Sequence, residues 1–204
     1  MRTGPRVRLV ASALVGLVLV VGQSQTALAE DDPASAFDDQ QVVEVTTDGS
    51  DWAAGLAVHH TQSAQVTATN AAVAYTSCDG CLAVALSFQV VIADGGPSSL
   101  QVGNLALAMN EGCTGCEAVA VADEVVIASD QRLVLTGRGH HALADLRHQL
   151  RDLARSDLPI EQIQTEAEQL MGEVAQVLAT ELHARATVHS DHDLRRRTCG
   201  RGRE

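Results

Sequence analysis

The chain of 204 residues has no lysine, and only 2% of it is aromatic: one Trp, one Tyr and two Phe. Large rings that bury roughly 150–250 Å² each are therefore almost unavailable. A core has to be built from Ala, Val, Leu and Ile. Basic residues are missing altogether from Leu9 to Gln131, while residues 30–131 carry 15 acids. Nothing in that stretch can neutralise phosphates, which excludes nucleic acid as its partner. Nothing in it can hold an anionic lipid surface either. From Arg132 onward 11 Arg balance 11 acids. Catalytic signatures are also lacking: no His-Glu-x-x-His helix, no Gly-x-Ser-x-Gly elbow and no Gly-rich phosphate loop. No catalytic residue is assigned, and the chain does not read as an enzyme.

Long apolar runs are scarce too. The one clear case is Leu9–Val21, preceded by Arg2, Arg6 and Arg8 and followed by Ala27-Leu28-Ala29 and then acidic Glu30, Asp31 and Asp32. This is the three-part pattern of a secretory signal, with an uncleaved N-terminal anchor as the other reading. Residues 1–29 are expected to be a signal peptide, and the protein to be secreted or extracytoplasmic. No later segment is apolar enough to span a membrane once the signal is cleaved. Residues 30–41 read as an acidic flexible leader, and 187–204 as a disordered basic tail.

What is present is repetition. Asn70–Ala93 reads NAAVAYTSCDGCLAVALSFQVVIA, and Asn104–Ala128 reads NLALAMNEGCTGCEAVAVADEVVIA. Leu82, Val84, Leu86, Phe88, Val90 and Ile92 alternate with Ala83, Ala85, Ser87, Gln89, Val91 and Ala93. Period two predicts strands with one face of large side chains and one of small. Neither face is very polar, so both should be covered, the Ala face by helices or by another copy of the chain. VVEVTT, a DG turn and WAAGLAVHH suggest an earlier, degenerate copy. The expected β-repeat domain spans 42–136, with repeats at about 42–66, 70–93 and 104–128.

Beyond it the period changes. Leu143, Leu146, Leu150 and Leu153 mark one amphipathic helix; Ile160, Ile163, Ala167, Leu170, Val174, Val177 and Leu182 mark another. Ser156 or Asp157 could cap the second. Residues 139–186 should form an antiparallel helical hairpin packed on the sheet. The expected fold class is α+β: antiparallel β-hairpin repeats in a meander sheet, then this hairpin.

Cys78-Asp79-Gly80-Cys81 and Cys113-Thr114-Gly115-Cys116 place two cysteines around an x-Gly pair. Asp79-Gly80 and Thr114-Gly115 read as two-residue type I′ turns. The flanking cysteines then lie within disulfide reach. Gly112 would sit in a bulge. Three readings compete: a structural disulfide in each turn, one Cys₄ zinc site shared by both turns, and thiol–disulfide exchange. The first is favoured, since a redox pair normally opens a helix. Cys199 is the odd cysteine. His141, Asp145 and His148 share a helix face that His183 could approach, but solvated helix surface is the stronger reading. No metal site is assigned, and the sequence calls for no cofactor, with zinc as the alternative.

The two Cys repeats and the following LTGRGHHALADLRHQLRDL resemble a group of actinobacterial exported proteins and domains with paired CxxC β-repeats, sometimes labelled peptide zinc metalloprotease proteins. The similarity covers about residues 55–182. It implies export and the β-repeat pattern. The protease activity does not carry over, because no residue here matches its catalytic motif. Where the group reads an aromatic-Gln pair, as Phe88-Gln89 does, the last repeat has Asp123-Glu124. The resulting expectation is an exported non-enzymatic module for interaction or assembly, stabilised by two disulfides. Its partner would be another protein or the chain itself. The alternative is a zinc-binding or accessory module of a metalloprotease-linked export system.

Overall fold

Alternation of large and small residues forces each apolar run to bury two unlike faces, and the chain does so by winding rather than by turning back. The computed structural model describes residues 35–184. The expected signal peptide, the tail at 187–204 and Cys199 lie outside these residues. Six strands follow in order: β1 (Ser35–Thr46), β2 (Asp51–Thr61), β3 (Gln65–Thr76), β4 (Leu82–Asp94), β5 (Ser99–Asn110) and β6 (Glu117–Ser129). β1 starts well before Val42, so part of the expected flexible leader is strand.

Consecutive strands do not pair. β1, β3 and β5 form one sheet and β2, β4 and β6 a second, and every pairing within both is parallel. The antiparallel meander of hairpins is therefore wrong. Each repeat is one coil of a two-sheet parallel solenoid: a strand in the first sheet, a turn, and a strand in the second. The reason is burial. A hairpin sheet shields its second face only if another layer arrives, whereas a coil lays the small face of one strand on the small face of the next. Ala72 and Ala74 meet Ala83 and Ala85, with Val42 beside them, between the two sheets. Neither helices nor another copy cover the Ala face; the opposite sheet does. The sheets come so close that a Cβ at Gly55 would lie 2.5 Å from Gln40 Nε2.

Stacking in register places like on like. Val84 pairs with Val119, Val91 with Val126, Ile92 with Ile127, and Asn70 with Asn104. The same register sets Phe88 beside Asp123 and Gln89 beside Glu124.

The large face of the second sheet is covered by α1 (Gly137–Ala154) and α2 (Ile160–Glu181). Leu143, Leu146, Leu150 and Leu153 of α1, with Ile163, Ala167, Leu170 and Val174 of α2, bury against Val84, Leu86, Phe88, Val90 and Ile92. α1 lies chiefly on β2 and α2 on β6. Thr136 caps α1 by accepting from the Gly139 N–H. Pro159, rather than Ser156 or Asp157, stands at the start of α2 and gives no side-chain cap. A short antiparallel pair, β7 (Leu133–Leu135) and β8 (Leu182–Ala184), ties the ends of the helical layer together.

Candidate functional site

Turns gather at the two ends of the strands, and each end carries chemistry. At one end lie the cysteines. Cys78 is bonded to Cys81 and Cys113 to Cys116, with Cα–Cα distances of 5.5 and 5.9 Å. Each Sγ is joined to its neighbour in the same turn, which uses the sulfurs a zinc ion would need. Disulfides are consistent with an extracellular protein. The turns are not the expected type I′. Gly80 and Gly115 have φ of +69° and +64°, but Asp79 and Thr114 do not have positive φ, and type I′ needs it at both central positions. The chain here crosses between sheets, in turns of five residues (77–81) and six (111–116). Gly112, at φ +65°, takes up the extra residue inside the turn and not in a strand bulge.

Successive turns are tied to one another. The Gly80 N–H donates to the Thr114 carbonyl at 3.0 Å, and the Thr114 N–H to Asp79 Oδ1 at 2.6 Å. Ser50 Oγ, one coil earlier, accepts from the Leu82 N–H. Asp79 is thus a bridge between coils, a role invisible while the turn is read as isolated.

The opposite end holds a pair that sequence reasoning missed. His60 Nε2 lies 2.7 Å from Asp94 Oδ2, although the two are 34 residues apart. Asp94 is fully buried, and the Leu133 N–H also donates to it, at 2.8 Å. Burial alone would raise its pKa; hydrogen bonds from His60, the Leu133 amide and Gln62 outweigh that and hold the carboxyl below its ordinary value. The only sequence signal was the repeat length itself, which sets residues about 34 apart on adjacent coils. Beside this pair opens a cleft of about 600 Å³ between β2, β4, β7 and α1. His60, Arg132, His140 and Arg147 line it, with Val58, Ile92 and Leu143 as apolar wall.

Between the sheets runs a polar ladder. Asn70 Nδ2 donates to the Ser87 carbonyl and to Asn104 Oδ1, and Ser87 Oγ donates back to Asn70 Oδ1. Asn104 in turn donates to the Ala122 carbonyl. Glu124 departs from this order: both carboxylate oxygens are buried without a hydrogen-bond partner. Burial pushes its pKa up. Asp123, on the helix side of β6, is raised by burial and by Glu168 of α2.

Among the described residues no three His, Cys, Asp or Glu side chains come together as metal ligands, so His141, Asp145, His148 and His183 do not assemble. No described helix is long and apolar enough to cross a membrane. No family model, curated protein or solved structure matches the chain.

Proposed function

We propose that this is an exported, non-enzymatic module that works by association, with a protein partner or with further copies of itself. The observation that carries this reading is the third coil. β5 pairs with β3 on one side and, among the described residues, leaves its other edge open. Its sequence, SLQVGNLALAMN, holds no charge and no proline, the usual protections of an exposed edge. Val102 and Leu105 are 50% and 54% exposed, on opposite faces of the strand. Parallel coils can be extended by any strand that supplies the next rung, the β-augmentation mode of recognition. The N-terminal leader pattern and the two disulfides support export.

Sedimentation velocity over a concentration series tests the self-association form. The expected outcome is a mass that rises with concentration, and Leu105→Lys or Val102→Lys should return the protein to monomer while its circular dichroism stays unchanged. A wild type that remains monomeric at every concentration, or that assembles equally well with either lysine in place, rules that form out.

A further inference from the structure

We infer that the cleft between β2, β4, β7 and α1 is a binding site for a carboxylate carried on a short apolar chain. Its volume of about 600 Å³ falls within the roughly 300–1,000 Å³ of small-molecule sites. Its lining departs from the rest of the molecule. The chain has 26 acids against 14 basic residues, yet among the described residues no acid lines this cleft, while two guanidinium groups and two imidazoles do.

The cations are not neutralised internally. Among the described residues, neither Arg132 nor Arg147 forms an ion pair. Asp94, buried beside this cleft, meets His60 and the Leu133 amide through Oδ2. Because the ionised Asp94 carboxylate only accepts, His60 Nε2 must be the donor, and the ring's Nδ1 is left for another partner. Arg147 is held in place by its Nε, which donates to the Leu56 carbonyl at 2.9 Å. Its terminal N–H groups stay available as a fork, the geometry that carboxylates accept in pairs. Val58, Ile92, Leu135 and Leu143 supply apolar wall beyond the charged groups. Among the described residues no Ser, Thr or Cys lines the cleft; the inference is one of binding.

A free fatty acid and the C-terminus of an apolar peptide present the same chemistry. Calorimetric titration of the purified full chain with octanoate, octylamine, 1-octanol, and a Leu-Leu-Val peptide with free or amidated C-terminus separates them. Octanoate or the free peptide should bind, and octylamine and the amidated peptide should not. Arg132→Gln should weaken binding by about tenfold or more, the loss of one charge-assisted contact. Arg155→Gln, whose guanidinium stacks on Trp52 away from the cleft, should leave affinity unchanged. Binding of octanoate alone assigns the site to free acids, and binding of the free peptide alone assigns it to chain ends. The inference is overturned if neither carboxylate binds, if octylamine or octanol binds as well as octanoate, or if a folded Arg132→Gln protein binds as tightly as wild type.

Discussion

Asn70 carries more of the fold than its size suggests. It is fully buried and joins β3 to β5 and to the second sheet. Asn70→Ala would strand the buried Ser87 hydroxyl and carbonyl between the sheets. An abandoned buried group costs about 1–3 kcal/mol, so a loss of about 2 kcal/mol is expected in urea denaturation. Asn70→Ser should lose less, because a hydroxyl can still answer Ser87. Glu124 is the opposite case, a buried carboxyl with no partner. Its folded pKa is raised, so the folded state holds this proton at pH values where the unfolded chain has released it. Stability from this residue is present below the unfolded value of 4.5 and is lost as pH rises through the folded value. Glu124→Gln should therefore stabilise the protein at neutral pH and flatten the decline in melting temperature above pH 4.5. Asp94 has the reverse sign. Its lowered pKa stabilises above the unfolded 3.8 and is lost on acidification, so Asp94→Asn should lower stability at pH 7 and abolish that acid-side loss. Glu124 stands out in the sequence only as a departure from the Phe88-Gln89 pair, and Asp94 not at all. A Glu in an apolar strand marks a face, but whether the face meets water depends on which strand lies opposite.

At the level of strands and turns, the periodicity was readable and the partnership was not. Leu82 to Ile92 alternate as a strand must, and they are a strand. The same alternation serves a hairpin or a coil, since both leave side chains on two faces. Two features separate them. Both faces of β4 are apolar, as in parallel sheets covered on both sides. The Cys turns also have five and six residues between strands, more than a two-residue hairpin needs. Asp79-Gly80 alone points to a hairpin, and the turn lengths are known only from the structure; here Asp79 serves the neighbouring turn instead. The sequence favours disulfides over zinc or exchange for the cysteine pairs, and they are disulfides, though not in the type I′ turns that argue for them. Each closes a minimal loop, so chain-entropy reasoning gives about 2 kcal/mol per bridge. Reduction should lower the unfolding free energy from urea denaturation by about 2 kcal/mol per bridge while far-ultraviolet dichroism persists. Before reduction, none of Cys78, Cys81, Cys113 and Cys116 should react with a thiol reagent, with or without chelator. Thiols that appear on chelation would identify zinc in place of disulfides.

Across the whole molecule, the large face of β4 depends on the helices. Leu150 is 1% exposed at the centre of that contact. Leu150→Ala should cost about 3 kcal/mol, within the roughly 2–5 kcal/mol of such truncations. It should do so as one cooperative transition by both fluorescence and dichroism if helices and solenoid unfold together. The helical layer also fixes how long the solenoid can be. Two packed helices stand about 8–10 Å apart, and β2 and β6, two strand spacings apart, are separated by about 9.6 Å. α1 sits on one and α2 on the other. Two helices thus roof the three strands. A duplicated fourth coil would stack its backbone but move its large residues towards the edge of that roof. Repeat number here is a quantity gauged by the width of a helical hairpin, and a longer relative built on this plan would need a third helix for its added rungs.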